Sequence, residues 1–261
     1  MKVGKRVDIQ IKGKVAYLTM NRPEKRNAID DIAVAELAEG FRRAEGSADV
    51  RAIVFRGEGP AFSAGADLEY LEKLSRNTPD ANMQDSQMLK DLLLGVYRSK
   101  KLTCALVRGP ALAGAFGLVL ACDMVFASDK AKFGFTEVKI GFVPAIVVNF
   151  ALRKLRETDV RELVLTGKIV DASAALRMGL FGQIIPDNEA ESVLESFLHE
   201  YSAGTSAAAV AMTKAVMSEV TEMNLEKALE YSAATNVEAR ATEDFRKGVN
   251  SFLKKEKLEW S

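Results

Sequence analysis

The chain has 261 residues, 48% of them hydrophobic, which is enough for one large core and excludes wholesale disorder. Lysine plus arginine equals aspartate plus glutamate at 36 each, so no net charge draws the chain to nucleic acid or an anionic membrane. One histidine, His199, and two cysteines in apolar runs, Cys104 and Cys122, argue against a Ser-His-Asp triad, a metal site and a disulfide framework.

The first ten residues carry basic side chains but no hydrophobic signal core, so no export signal is expected and the expected compartment is the cytoplasm. Residues 7–11 and 15–20 alternate apolar and polar on either side of Lys12-Gly13-Lys14, a hairpin pattern. Helical spacing covers 30–43, with Asp30 or Asp31 as a cap, and 52–55 reads as a short buried strand. The polar stretch 75–82 contains Pro79 and is expected to be flexible, with helical spacing resuming over 83–97. That helix has only Lys90, Arg98 and Lys100 for cations, too few for a nucleic-acid face. Residues 104–107 and 124–127 are expected strands flanking a loop and helix over 109–120. The apolar run 111–122 is too short and too rich in Gly and Ala to span a bilayer. Beyond Pro144 the pattern is mainly helical, over 145–155, 157–165, 172–178, 188–203, 207–219, 224–238 and 241–255, with a short strand in 181–185.

Two segments point to chemistry. Gly109-Pro-Ala-Leu-Ala-Gly-Ala-Phe-Gly-Leu-Val-Leu-Ala-Cys-Asp123 is a Gly/Ala-rich loop entering an apolar helix, which can aim free backbone N–H groups at an anion or serve close packing. Phe133-Gly-Phe-Thr-Glu-Val-Lys-Ile-Gly-Phe-Val-Pro144 puts Glu137 in an apolar stretch. Desolvation there raises a carboxyl pKa, although a loop glutamate is ordinarily solvated. An oxyanion site beside a tuned acid/base suits chemistry next to a carbonyl.

Together with Asn21-Arg-Pro-Glu-Lys-Arg-Asn-Ala28 and Ala61-Phe-Ser-Ala-Gly-Ala-Asp-Leu68, these segments resemble, in the same order, the motifs of the enoyl-CoA hydratase/isomerase (crotonase) superfamily. The similarity runs from residue 7 to residue 255. It implies an α/β fold: a crotonase-like spiral of ββα units over 1–195 holding an acyl-CoA site, and a helical C-terminal trimerisation region over 196–261. The resemblance assigns the backbone N–H groups of Ala66 and Gly114 to the thioester oxygen and Glu137 to proton transfer. The family's usual triple glycine is here Ala113-Gly114-Ala115, and its second glutamate is replaced by Gly117. A Gly117→Glu exchange is therefore expected to restore the pair, with Phe116 a candidate to fill part of that space.

The resemblance also implies coenzyme-A contacts from Arg22, Lys25 or Arg26, and from Ala64, Gly65, Asp67 and Leu68. Phe252 and Lys255 are expected to reach a neighbouring subunit's coenzyme A, within a trimer or dimer of trimers. Asp67 is expected to cap the next helix and Asp123 to be structural. No cofactor is implied beyond the coenzyme A of the acyl-CoA substrate, and neither nucleic acid nor membrane is an expected partner. Hydration of a 2-enoyl-CoA is the leading expectation. A single glutamate also suits Δ3-Δ2-enoyl-CoA isomerisation or other enolate chemistry such as decarboxylation. A non-catalytic acyl-CoA- or RNA-binding protein is the alternative of another class. A serine hydrolase would need Ser63 and a histidine that these motifs lack.

Overall fold

In the computed structural model, which describes residues 6–260, the N-terminal alternation folds as β1 (Val7–Lys12) and β2 (Val15–Met20), antiparallel around Gly13. Gly13 has φ 55°, a left-handed conformation that suits glycine in so short a turn. The start of the basic N-terminal stretch, residues 1–5, lies outside the described residues, as does Ser261.

Along the chain there follow α1 (Asp31–Gly46), β3 (Ala52–Gly57), α2 (Leu68–Leu74), α3 (Pro79–Tyr97), β4 (Leu102–Val107) and β5 (Pro110–Leu112). Next come α4 (Gly114–Ala121), β6 (Met124–Ser128), β7 (Lys132–Gly134), α5 (Val148–Lys154), α6 (Glu157–Thr166), β8 (Ile169–Asp171), α7 (Ala172–Arg177) and β9 (Ile184–Ile185). The chain ends in α8 (Ala190–Gly204), α9 (Ala207–Glu219), α10 (Leu225–Ala241) and α11 (Glu243–Lys254).

The main sheet has the order β1-β2-β3-β4-β6-β9, parallel from β2 onwards. Its register runs in one line through Leu18, Phe55, Ala105 and Val125. A parallel sheet needs cover on both faces, and the alternation of its strands supplies two apolar sides. Leu18, Phe55 and Ala105 face the larger core with Phe41 and Leu93, while Tyr17, Val54 and Cys104 face a smaller one with Leu194 and Leu198 of α8. Cys104 and Cys122 are both free and buried within these cores. A second sheet, β5-β7-β8, stands apart.

Two details differ from the sequence expectation. Residues 79–82 are the first turn of α3, with Thr78 accepting a hydrogen bond from the Ala81 N–H and Pro79 at the first helical position, where its missing N–H is not needed. The strands of the second sheet are three residues each, too short for any alternation to register. No helix among the described residues is long and apolar enough to cross a membrane. His199 is exposed on α8.

Candidate active site

Two loops form the centre of the site, and each is fixed by backbone pairing. Ser63 pairs with Ala111 in a parallel bridge, its N–H donating to the Pro110 carbonyl at 3.0 Å while its own carbonyl accepts from the Leu112 N–H at 3.1 Å. Ala66 pairs with Ile29 in a second bridge, where Ile29 donates to the Gly65 carbonyl and Asp67 donates to the Ile29 carbonyl, both at 2.8 Å. In this pattern the Ala66 N–H points away from Ile29. Among the described residues neither it nor the N–H of Gly114, the first residue of α4, has a hydrogen-bond partner.

Gly65 allows the loops to approach. It has φ 93°, and a Cβ there would lie 2.9 Å from the Ala113 Cβ and 3.0 Å from the Leu112 carbonyl oxygen. Ala113 itself has φ 52°, a conformation in which a non-glycine residue is strained by about 1–3 kcal/mol. This turn starts α4 so that its free N–H end faces the cavity. The far end is closed by the half-buried Lys154 ammonium, which donates to the carbonyls of Leu120 and Cys122.

Beside Gly114 lies a cavity of about 1020 Å³. It brings together Lys25, Ala64, Ala66, Asp67, Leu68, Gly114 and Glu137 from the sequence-expected set. Glu137 opens a short 3-10 turn, Glu137–Ile140, ended by Gly141 in the left-handed region. The Glu137 side chain is 7% exposed and its Oε2 has no hydrogen-bond partner among the described residues. Burial pushes its pKa above the ordinary glutamate value, opposed only by its own backbone N–H.

Arg22, Gly65, Gly117, Phe252 and Lys255 do not line this cavity. The Arg22 guanidinium, with 11% of its side chain exposed, is held by Asp67 at 2.7 Å and Asp30 at 3.3 Å. Asp67 accepts from the Glu69 and Tyr70 N–H groups and so caps α2. Burial would raise the Asp67 pKa, but the Arg22 hydrogen bond, the two backbone donors and Lys25 together bring it below the usual aspartate value. Lys25 lies 2.7 Å from Glu69 and 3.8 Å from Asp67. Phe252 is 84% exposed on α11, and Lys255 is the left-handed residue that ends that helix.

Other parts of the motifs are scaffolding. Asn27 is buried, accepts from the Arg22 N–H and donates to the Glu58 and Ala61 carbonyls. Ser63 is fully buried and its Oγ accepts from the Gly65 N–H, which leaves no exposed nucleophile. Asp123 accepts from both the N–H and the hydroxyl of Thr103.

Gly117 is where the sequence expectation needs correction. A Cβ on Gly117 would lie 2.7 Å from the Val147 Cβ and nearer still to its Cγ1. Val147, which precedes α5 and lines the cavity, therefore fills the direction in which a side chain at 117 would project. Phe116 points elsewhere, into an aromatic group with Phe133 and Phe135 at ring distances of 5.3 and 4.9 Å. A glutamate introduced at 117 has no room without a change at Val147.

The site also contains a pair that the sequence did not signal. Tyr70 on α2 donates its hydroxyl proton to Asp85 on α3, and both line the cavity. Tyr70, Leu71 and Leu74 do share helical spacing after the capping Asp67, a periodicity visible in the chain. Asp85 lies in a polar stretch that gives no such clue.

Residues 10–261 match the family described as Enoyl-CoA hydratase/isomerase. A Thermus thermophilus protein named "Putative enoyl-CoA hydratase" is 37% identical over 244 residues, covering 94% of this chain and 96% of that protein. The (E)-benzylidenesuccinyl-CoA hydratase of Thauera aromatica is 30% identical, covering 94% of this chain and 95% of its own length. The crystal structure of an enoyl-CoA hydratase from Mycobacterium smegmatis superposes with a TM-score of 0.92 at 27% identity, covering 98% of this chain and 99% of that one.

Proposed function

The chain belongs to the enoyl-CoA hydratase/isomerase family, and from that premise we propose that it adds water to a 2-enoyl-CoA thioester with Glu137 as its single acid/base. One observation carries this reading. A buried carboxyl with an unpartnered oxygen shares a cavity with two backbone positions, Ala66 and Gly114, whose N–H groups are unpaired among the described residues.

The thioester oxygen accepts hydrogen bonds from the Ala66 and Gly114 N–H groups. The Glu137 carboxylate takes a proton from water as the water oxygen bonds to the β-carbon. The π electrons move towards the thioester, and the oxyanion of the resulting enolate is held by those two donors. Glu137 then returns its proton to the α-carbon, which restores the thioester and the carboxylate. Burial suits the first half, because a raised pKa makes the carboxylate a better base. Coenzyme A lies at the Lys25 and Arg26 end of the cavity, where cations meet its phosphates.

The Val147 side chain against Gly117 favours a second reading, Δ3-Δ2 isomerisation, because it leaves apolar surface where a second carboxylate would hold water. In that case Glu137 moves one proton between the α- and γ-carbons. Incubation of the purified protein with 2-enoyl-CoA and with 3-enoyl-CoA, followed by product analysis, tests both. Formation of 3-hydroxyacyl-CoA supports hydration, whereas conversion of 3-enoyl to 2-enoyl without a hydroxyl product replaces it with isomerisation.

Assembly as a trimer or dimer of trimers belongs to the same proposal. It is supported by exposed apolar side chains on α10 and α11, among them Leu225, Leu229, Val237 and Phe252. A monomer in light scattering at micromolar concentration would overturn it.

A further inference from the structure

Lys25, Arg26 and Lys139 stand among the lining residues of the cavity, and Lys73, which does not line it, lies over the Tyr70 ring 5.9 Å from its centroid. No ion pair reaches Asp85, whose hydrogen-bond partner among the described residues is the Tyr70 hydroxyl. Asp30 and Asp31, at the start of α1, add negative charge near Tyr70. Asp30 is itself paired with Arg6 and Arg22, while Arg22 is shared with Asp67. A polyanionic group is therefore disfavoured directly against the Asp85 carboxylate. Leu71, Leu74, Leu89 and Val34 line the same cavity, as an acyl chain requires. That the cavity holds a ligand is indicated independently by the buried, unpartnered Glu137 Oε2.

The pair has a definite hydrogen-bonding polarity. Tyr70 has one proton and gives it to Asp85. What remains is acceptor capacity only: the lone pairs of Tyr70 Oη and the oxygens of a carboxylate. A ligand atom reaching this pair must donate. A distal carboxylate would meet both like charge and a lack of donors.

We propose that the Tyr70–Asp85 pair selects acyl-CoA thioesters whose acyl chain carries a distal hydrogen-bond donor, such as a hydroxyl, and disfavours those ending in a carboxylate. This rests on the acyl-CoA reading above. It adds a chemical class for the part of the substrate remote from the thioester.

The test uses binding, so that it does not depend on turnover. The full-length protein is titrated by calorimetry with saturated acyl-CoA thioesters over a ladder of chain lengths, each as plain alkyl, ω-hydroxy and ω-carboxy forms. At the best-fitting length the ω-hydroxy form is expected to bind about tenfold tighter than the alkyl form, on the scale of a hydrogen bond to a charged group, and the ω-carboxy form weakest. In Asp85→Asn, which can donate as well as accept, the penalty on the ω-carboxy form is expected to shrink about tenfold.

Equal binding of the three forms, tightest binding of the ω-carboxy form, or an unchanged ranking in a folded Asp85→Asn protein would each overturn the inference. If Asp85→Asn fails to fold, the wild-type ranking decides alone. A protein that shows the ranking but hydrates nothing would refute the hydratase reading and leave this one standing. One that hydrates enoyl-CoA without the ranking would do the reverse.

Discussion

Gly65 and Ala113 meet where the two loops of the site converge, each with a positive φ, and the missing side chain of Gly65 makes the contact possible. On either side of this contact stand the two proposed oxyanion donors, Ala66 and Gly114. Gly65→Ala adds a methyl 2.9 Å from the Ala113 Cβ and places a side chain at φ 93°. It is expected to lower stability by about 2–4 kcal/mol, combining left-handed strain with overpacking. Displacing one donor should also lower kcat by about a hundredfold. Denaturant unfolding and steady-state kinetics measure the two effects. Full activity in the variant would mean that the loops do not carry the oxyanion site.

Glu137→Gln should raise stability at neutral pH while it strongly lowers turnover. A carboxyl whose pKa is raised in the folded state holds its proton there after the unfolded chain has lost it. Its contribution is therefore fully present below the ordinary glutamate range and is lost as pH rises through the folded pKa. The stability difference between the variant and wild type should widen with pH across that window and then level off. Urea unfolding at a series of pH values reads this directly; a constant difference would show that Glu137 is not desolvated.

The local structure around the site was legible where its determinants are local in sequence, while the roles given to Ala66, Gly114 and Glu137 come from the family resemblance. A Gly/Ala-rich turn entering a helix is visible over 109–120, the Asp67 cap follows from its place before α2, and the apolar neighbours of Glu137 can be read from the chain. Packing across elements was not legible. Gly117 reads as empty space in the chain, and only the fold brings Val147, thirty residues later, against it. Arg22 reads as a loop cation, and only the fold turns it onto Asp67 and Asp30. The tie between Tyr70 and Asp85 is likewise a product of how α2 and α3 are set.

Gly117→Glu alone is therefore expected to destabilise by about 2–4 kcal/mol, through overpacking and a poorly solvated carboxylate. Val147→Gly alone should cost about 2–3 kcal/mol through the lost side chain. The double variant should be more stable than the sum of the two predicts, by about 1–3 kcal/mol. A denaturant double-mutant cycle measures the coupling, and strict additivity would place the two side chains apart.

Arg22→Met should leave the Asp67 carboxylate without its closest cation and Asp30 with Arg6 alone. The expected loss is about 3 kcal/mol, as for breaking a largely buried pair. Asp67→Asn, which keeps an oxygen to cap α2, should cost less. The depressed Asp67 pKa contributes stability above the ordinary aspartate range that is lost as pH falls through the folded value, so the wild type's advantage over Asp67→Asn should disappear in acid. Thermal unfolding from acid to neutral pH checks the sign.

The most direct test of the central claim compares wild type and Glu137→Gln on a 2-enoyl-CoA, following loss of the conjugated thioester absorbance, with binding of a saturated acyl-CoA measured on both by calorimetry. The account predicts turnover by the wild type, a loss of about 10²–10⁴-fold in kcat in the variant, and thioester affinity within a few-fold. Comparable turnover by the two proteins, or a wild type that binds acyl-CoA but never consumes the enoyl thioester, would contradict it.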